Sequence, residues 1–286
     1  MARNSALLVV CLLVLSACAS GSEGPYNRGV EQYGIGHVGR CVKDYRQAIA
    51  QRPDDPRPKF NLAVIYQDEG KLREAENLYE ELVARAPGFS PAWSNLASIM
   101  EKRGLVDRAE RMHRRAMKAD GGCAEGCQYG FFLLRQGRKV EAEKVFKKSV
   151  GRDPRCANGW FGLGLIAEGN GDIRAALRNY DRDSIYNPSD VEAYLRSSNI
   201  LISMGDTARA AGLLEKAAGE NRAGGDVDHG DIELRLGILF LGNGELKKAE
   251  KALELAKKNG APPGQCDREL HSVYRKLSAR SAGEAR

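Results

Sequence analysis

The sequence predicts an all-α protein built from stacked helical hairpins. A glycine followed five residues later by an alanine recurs along the chain, as Gly70 and Ala75, Gly104 and Ala109, Gly137 and Ala142, Gly171 and Ala176, Gly205 and Ala210, and Gly244 and Ala249. Successive glycines lie 34, 33, 34, 34 and 39 residues apart. An internal period near 34 residues is typical of a solenoid of paired helices, which works by presenting a surface.

The same residue types surround each pair when the glycine is counted as position 15. In residues 56–89, Leu62, Ala63, Tyr66, Ala75, Tyr79 and Pro87 occupy positions 7, 8, 11, 20, 24 and 32, and in residues 157–190 Trp160, Leu163, Gly164, Ala176, Tyr180 and Pro188 occupy positions 4, 7, 8, 20, 24 and 32. Small residues at 8 and 20 let the two helices approach closely, and large residues fill the space around them. Glycine at 15 permits the turn, and proline at 32 stops the second helix.

This pattern resembles the tetratricopeptide repeat (TPR) family, which carries tryptophan at position 4, leucine with glycine or alanine at 7 and 8, tyrosine at 11, alanine at 20, an aromatic residue at 24 and proline at 32. The resemblance implies a TPR α-solenoid, a right-handed superhelix of helix-turn-helix repeats, over residues 25–263. The predicted repeats are 22–55, 56–89, 90–122, 123–156, 157–190, 191–224 and 230–263. The first is degenerate, with Gly29, Gly36 and Cys41 at positions 8, 15 and 20.

Two further segments complete the predicted order of elements. Residues 223–228 are rich in glycine and aspartate and predict a loop insertion between the sixth and seventh repeats. Residues 264–278 predict an amphipathic helix that caps the last apolar face, with Leu270, Val273, Tyr274 and Leu277 on one stripe. Residues 279–286 are expected to form a disordered tail.

The amino terminus predicts an exported, lipid-anchored protein. Arg3 precedes an apolar run from Ala6 to Leu15, which is too short to span a membrane but suits a signal peptide. Leu15-Ser16-Ala17-Cys18 resembles a bacterial lipoprotein signal, which implies removal of residues 1–17, acylation of Cys18 with palmitate-type chains and a short linker over 18–24. Ala19 in place of aspartate implies, by the same resemblance, an outer-membrane anchor facing the periplasm. The alternative is an ordinary secretory signal cleaved near the same place.

Charge gives no indication of a nucleic-acid partner. The formal net charge is +6, and basic residues alternate with acidic ones along helix faces, as Lys144, Lys147 and Lys148 do beside Glu141 and Glu143. Such a mixture is typical of a solvated surface. Nucleic-acid binding needs a clustered basic stripe, so that class of partner is not expected.

No catalytic site is predicted. Residues 34–39 match the G-x-G-x-x-G pattern but lack a preceding strand and fall at a predicted helix turn. The four histidines, His37, His113, His229 and His271, are scattered, and the common hydrolase, metalloprotease and phosphate-loop motifs are missing. His113 stands at position 24 and is expected to fill a packing site. The sequence therefore predicts a non-enzymatic protein with no cofactor and no metal site.

The cysteines predict one disulfide. Cys41 replaces the small residue at position 20 and is expected to be buried. Cys123 and Cys127 are the favoured pair in an oxidising compartment, although a helix offers poor geometry for that bridge. Pairing of Cys127 with Cys156 is the alternative.

The predicted binding surface is the concave face, which positions 2, 5, 6, 9, 12 and 13 of the first helices form in TPR proteins. Position 6 holds four carboxamides, here called the amide row: Asn27, Asn61, Asn95 and Gln128. The family uses asparagine there to hold the backbone of a bound peptide, and a carboxamide can both donate and accept. The alternative is that asparagine is simply common at this position.

Later repeats place apolar residues on the same face, and these are expected to be exposed and to mark a partner site. They are Phe131, Leu134, Phe161, Leu165, Leu195, Ile202, Leu234, Ile238 and Leu241, although coverage by the capping helix is favoured for Leu241. The full set of predicted peptide-binding residues is Asn27, Asn61, Asn95, Gln128, Phe60, Val64, Phe131, Phe161, Leu165, Leu195, Arg196, Leu234 and Arg235.

The sequence thus predicts a lipid-anchored periplasmic scaffold that binds a peptide or helix of an envelope partner. Its architecture resembles pilotin-like proteins of type IV or Flp/Tad pilus systems, which implies a role in pilus or secretin assembly. An adaptor that recruits peptidoglycan hydrolases or proteases is the alternative. An enzyme with a TPR arm is a third hypothesis, which the missing catalytic residues argue against.

Overall fold

The computed structural model describes residues 24–119, 121–221 and 229–284. Over these residues the chain forms fifteen helices and no strand. The helices are α1 (Pro25–Gly34), α2 (Val38–Gln51), α3 (Pro56–Asp68), α4 (Leu72–Arg85), α5 (Ser90–Lys102), α6 (Val106–Ala119), α7 (Cys123–Arg135), α8 (Lys139–Arg152), α9 (Ala157–Gly169), α10 (Ile173–Tyr186), α11 (Val191–Ser203), α12 (Thr207–Asn221), α13 (His229–Gly242), α14 (Leu246–Lys258) and α15 (Pro263–Glu284).

The chain divides into two compact units, residues 1–145 and 146–286. In the first unit the hairpins α1–α2, α3–α4 and α5–α6 pack in sequence, and α7 packs on α5 and α6. In the second unit the hairpins α9–α10, α11–α12 and α13–α14 pack in sequence, and α15 covers α13 and α14. Within each unit, the second helix of a hairpin also contacts the first helix of the next. The predicted all-α repeat architecture is confirmed.

Every hairpin closes through the predicted glycine. The seven residues at position 15 have φ angles between 72° and 80°, in the left-handed region: Gly36, Gly70, Gly104, Gly137, Gly171, Gly205 and Gly244. Side chains disfavour this conformation because Cβ meets the backbone. The turn residue that the period predicts is therefore required by backbone geometry in all seven repeats.

Small residues at positions 8 and 20 allow the close helix contact. A Cβ added to Gly164 would lie 2.4 Å from Cε1 of Tyr180, and one added to Gly29 would lie 2.5 Å from Cε1 of Tyr45. At position 20, alanine is completely buried in six repeats, as at Ala176. The aromatic ring at position 24 thus occupies the space that a larger residue at position 8 would need.

Helix ends follow the predicted signals except at the carboxyl terminus. Helices α2, α4 and α10 end two residues before Pro53, Pro87 and Pro188. Helix α15 instead continues to Glu284, so the disordered tail predicted over 279–286 is wrong as far as that residue. Nζ of Lys276 lies 3.5 Å from the carbonyl oxygen of Leu241, and Nη2 of Arg280 lies 3.4 Å from that of Gly244. These bonds hold the added helical turns against the last hairpin.

Several predicted features lie outside the described residues. They are the signal peptide over 1–17, Cys18, the linker up to residue 23 and the loop insertion over 223–228. Among the described helices, none has both the length and the apolar character that crossing a bilayer would require.

The disulfide prediction is wrong. Cys127 keeps a buried thiol, whereas Cys123 takes part in a disulfide. Neither the favoured Cys123–Cys127 bridge nor the alternative Cys127–Cys156 bridge therefore forms. Cys123 and Cys127 lie one turn apart in α7, where Cβ atoms of a helix are poorly placed for a bridge. Cys41 is fully buried as predicted, and burial raises the pKa of its thiol to about 11.

Candidate peptide-binding surface

Two members of the amide row are anchored to the preceding hairpin by the same bond. Nδ2 of Asn61 in α3 donates to the hydroxyl of Tyr45 at 3.2 Å, and Nδ2 of Asn95 in α5 donates to the hydroxyl of Tyr79 at 2.8 Å. The asparagines are 7% and 8% exposed. Each bond joins position 24 of one repeat to position 6 of the next, so it fixes the orientation of the carboxamide.

The tyrosines are suited to this anchoring. Tyr45 and Tyr79 are buried, and desolvation raises the pKa of both hydroxyls well above the usual value. Both therefore stay neutral at physiological pH and accept the amide hydrogen. The bond uses one of the two amide hydrogens of asparagine, and its carbonyl oxygen takes no part. Asn95 therefore keeps one donor and one acceptor for a bound backbone, whereas the amide of Asn61 also hydrogen-bonds Tyr26 and keeps its carbonyl oxygen.

The ends of the amide row differ from its centre. Asn27 in α1 is exposed. Gln128 in α7 is half-buried, and its Oε1 has no hydrogen-bond partner among the described residues. In the repeat before Gln128, position 24 is His113 instead of tyrosine. The anchoring bond is therefore a property of the two central asparagines.

His113 takes part in a hydrogen-bonded chain that was not predicted from the sequence. The ring is 1% exposed and lies 5.6 Å and 5.0 Å from the ring centroids of Tyr129 and Phe132, so its predicted packing role is confirmed. Its Nε2 lies 3.0 Å from Oε1 of Glu101, whose Oε2 accepts from Nη2 of Arg135 at 2.5 Å. Burial of Glu101 opposes its ionisation, but the bonds from His113 and Arg135 outweigh burial and lower its pKa.

A related chain occurs in the second unit. The hydroxyl of Tyr180 donates to Oε2 of Glu168, and Nη1 of Arg196 lies 3.2 Å from the same oxygen. Arg196 also pairs with Glu192 at 2.9 Å. A buried aromatic residue at position 24 thus contacts glutamate at position 12 in two repeats. This pair of positions was the sequence signal that could have predicted both chains. Arg196, a predicted binding residue, already has carboxylate partners within the chain.

Arg235 is engaged in the same way. Its Nε lies 2.8 Å from Oδ2 of Asp231 in the same helix, and its Nη1 lies 3.4 Å from Oδ1 of Asn199 in α11. A partner carboxylate would therefore compete with Asp231 for this guanidinium.

The apolar positions divide into exposed and buried sets. Ile202 and Ile238 are 41% and 40% exposed, as expected. The half-buried members are Phe131, Leu134, Phe161, Leu165 and Leu195. Leu234 is 4% exposed, so the expectation of an exposed side chain there is wrong. It belongs to an apolar core that extends from α11 to α15.

Three more residues are buried for identifiable reasons. Leu241 shares the core of the last hairpin with residues of α15, which confirms the predicted coverage by the capping helix. Phe60 is 7% exposed and packs 5.3 Å from the ring of Phe89, and Val64 is 6% exposed. Phe60 and Val64 thus contribute to the core of the first unit and offer little surface to a partner.

Comparison with known proteins identifies the repeat. One family model described as tetratricopeptide repeat matches residues 42–99 and 66–126, and a second model with the same description matches residues 133–182, 167–226 and 195–264. Together the two models match residues 42–126 and 133–264.

The chain is similar in fold to two solved proteins, PilF and PilW. PilF of Pseudomonas aeruginosa superposes with a TM-score of 0.60 at 17% identity, covering 79% of this chain and 99% of that one. PilW, described as a widely conserved type IV pilus biogenesis factor, superposes with a TM-score of 0.57 at 20% identity, covering 77% of this chain and 98% of that one. At these identities the likeness shows the fold alone.

Sequence relatives are distant and much longer. The human protein O-mannosyl-transferase TMTC3 is 22% identical over 184 residues, which are 58% of this chain and 20% of that protein. The chain spans about a fifth or less of the length of the curated relatives it matches.

Proposed function

Because the chain belongs to the tetratricopeptide repeat family, we propose that it is a non-enzymatic scaffold that binds a peptide or helix of a cell-envelope partner. In this proposal the signal peptide is removed, Cys18 carries the acyl chains, and the lipid anchor holds the repeats on the periplasmic side of the outer membrane. Two or more acyl chains give stable membrane attachment.

The anchored pair Asn61 and Asn95 carries the binding part of the proposal. Both side chains stand at the same position of consecutive first helices and are oriented by the same tyrosine bond. Repeated, pre-oriented carboxamides match the repeated N–H and C=O groups of an extended peptide and lose little freedom on binding. Each net bond contributes about 0.5–1.5 kcal/mol, so the pair would set register more than affinity.

Assembly of a type IV or Flp/Tad pilus, or of its secretin, is the favoured role. It is supported by the fold similarity to PilW and PilF together with the lipoprotein-like amino terminus. Recruitment of peptidoglycan hydrolases or proteases is the alternative, since the same anchored amides could hold a segment of such an enzyme.

In-cell crosslinking of the full-length protein tests the role. A photoreactive residue is placed at Ser98, in the same helix α5 that carries Asn95. It should link to a secretin or pilus assembly component, identified by mass spectrometry. A matched probe in place of Arg73, exposed on α4, should not. Repeated linkage to a peptidoglycan hydrolase would instead support the alternative.

The anchor is tested separately. Metabolic labelling with a fatty acid should label the wild type and leave Cys18→Ser unlabelled, and the variant should leave the membrane fraction. An unlabelled wild type would contradict the lipid anchor without affecting the peptide-binding proposal.

A further inference from the structure

Asp183 in α10 is an acid in a position that is otherwise small or apolar. It stands at position 27, where the other repeats carry Ala48, Leu82, Ala116, Ser149, Ala217 and Ala256. Asp183 is completely buried. Neither of its carboxyl oxygens accepts a hydrogen bond from an N–H or hydroxyl group in the described part of the chain. A buried carboxylate without donors is strongly disfavoured.

The turn after α10 brings a second carboxyl to Asp183. The N–H of Asn187 donates to the carbonyl oxygen of Asp183 at 2.7 Å, and the N–H of Asp190 donates to the carbonyl oxygen of Asn187 at 3.0 Å. The carboxyl of Asp190 acts on that of Asp183, and its negative charge disfavours ionisation of Asp183. The side chain of Asp190 also caps α11, because its Oδ1 accepts from the N–H of Glu192 at 3.0 Å.

The charged surroundings add no cation to this pair. Asp190 is the charged group that acts on Asp183, and Glu192 at the start of α11 adds a further negative charge beside Asp190. Arg196, one turn further along α11, pairs with Glu192 and with Glu168 of α9. Burial, and then the charge of Asp190, raise the pKa of Asp183 to about 8, and burial also raises the pKa of Asp190.

We propose that Asp183 and Asp190 share one proton and that this proton holds helix α10 to the start of helix α11. Protonated Asp183 donates to the carboxylate of Asp190, which continues to cap α11. Loss of the proton places two negative charges side by side in a buried site, and their repulsion opens this contact between consecutive hairpins.

The direction of the pH dependence follows from linkage. In the unfolded chain the Asp183 carboxyl has its ordinary pKa of 3.8, whereas in the folded chain it keeps the proton up to about pH 8. The contact is therefore most stable at low pH and weakens as the pH rises through this interval. The opening constant of the junction should rise by up to about tenfold per pH unit.

Asp55 provides the matched comparison. It caps α3 as Asp190 caps α11, accepting from the N–H of Arg57 at 3.0 Å. The residue at position 27 of its repeat is Ala48, and the bonds from the Arg57 guanidinium lower the pKa of Asp55. The pKa of the capping aspartate is thus lowered in one repeat and raised in the other. Only the repeat with Asp183 should lose stability as the pH rises.

Hydrogen–deuterium exchange of the full chain tests the proposal. Peptides covering residues 184–193 are followed at pH 5.5, 7 and 8.5 after correction for intrinsic rates, in the wild type, Asp183→Asn and Asp55→Asn. The wild type and Asp55→Asn should lose protection there by at least tenfold from pH 5.5 to 8.5. Asp183→Asn, which keeps a donor toward Asp190 and carries no charge, should lose none of it. An equal loss of protection in Asp183→Asn would overturn the proposal.

Infrared difference spectroscopy gives a readout that does not depend on how well a variant folds. The wild type at pH 7 should show the C=O band of a buried protonated carboxyl, which disappears by pH 9 and is absent from Asp183→Ala. A wild type without that band at pH 7 would show that no proton is shared and would overturn the proposal. Neither result bears on the peptide-binding function.

Discussion

Asn95 of α5 and Tyr79 of α4 are joined by a 2.8 Å hydrogen bond that links two consecutive hairpins. The equivalent bond joins Asn61 of α3 to Tyr45 of α2. A residue predicted to contact a partner is therefore also a link within the chain. Tests of binding at this position must separate the two roles.

Replacing both asparagines should weaken partner capture. We expect Asn61→Ala with Asn95→Ala to reduce crosslinking to the partner severalfold and to lower the free energy of unfolding by about 1 kcal/mol per site, because each site loses one buried bond. Tyr45→Phe with Tyr79→Phe loses the same two bonds but keeps the carboxamides, so it is the stability-matched control. Equal capture by the wild type and both double variants would contradict a binding role for the amide row.

Charge on the exposed apolar positions should also reduce capture. Ile202 and Ile238 are 41% and 40% exposed, so Ile202→Glu with Ile238→Glu should leave helix content and melting temperature nearly unchanged while capture falls at least tenfold. The control is Ile185→Glu, because this residue is 62% exposed on a second helix. If the control lost capture as strongly, the first-helix positions would have no special role.

The packing of Gly164 predicts opposite effects for two glycine substitutions. Gly164→Ala should cost about 1–3 kcal/mol of unfolding free energy, because the new Cβ would lie 2.4 Å from the buried ring of Tyr180. Gly212→Ala, in the same unit, meets no atom within 4 Å and should stabilise α12 by about 0.5–1 kcal/mol. Urea unfolding measures both changes. An unchanged free energy of unfolding for Gly164→Ala would show that the two helices can move apart without loss of stability.

Glu110 should make the first unit sensitive to acid. Bonds from Arg138 come first among the causes that lower its pKa to about 2, and Arg114 and Tyr129 also contribute. The stabilisation is present above the ordinary pKa of 4.5 and is lost as the pH falls from there toward 2.

We expect Glu110→Gln to lose about 1–2 kcal/mol of unfolding free energy at pH 7 and little at pH 2.5, as measured by urea unfolding at the two pH values. Glu141→Gln removes a more exposed carboxylate from the same Arg138 and should cost less than Glu110→Gln, because solvent screens an exposed ion pair. Equal losses at both pH values would mean that Glu110 acts through packing and not through its charge.

The features that repeat along the chain were the ones that could be predicted from sequence. Gly70 and Ala75 recur with a fixed spacing because each hairpin needs a left-handed turn and a close helix contact, so local geometry specifies them. The binding role of the amide row stays a prediction, although its residues could be found because they also recur.

The features that occur once could not be predicted in the same way. Which cysteine pairs with Cys123 depends on where folding places side chains from different helices, and spacing favoured Cys127 wrongly. The burial of Leu234 depends on a core that residues from α11 to α15 form together. The hydroxyl of Tyr79 meets Asn95 across two hairpins, and a pattern that treats each repeat alone does not contain that contact.

The left-handed glycine that closes every hairpin makes each repeat self-sufficient in its turn. A gene duplication of about thirty-four codons copies the turn together with the two helices that it connects. Such an array can gain or lose whole repeats during evolution without needing a new turn sequence. Substitutions can then accumulate on the outward-facing side chains while the turn is kept.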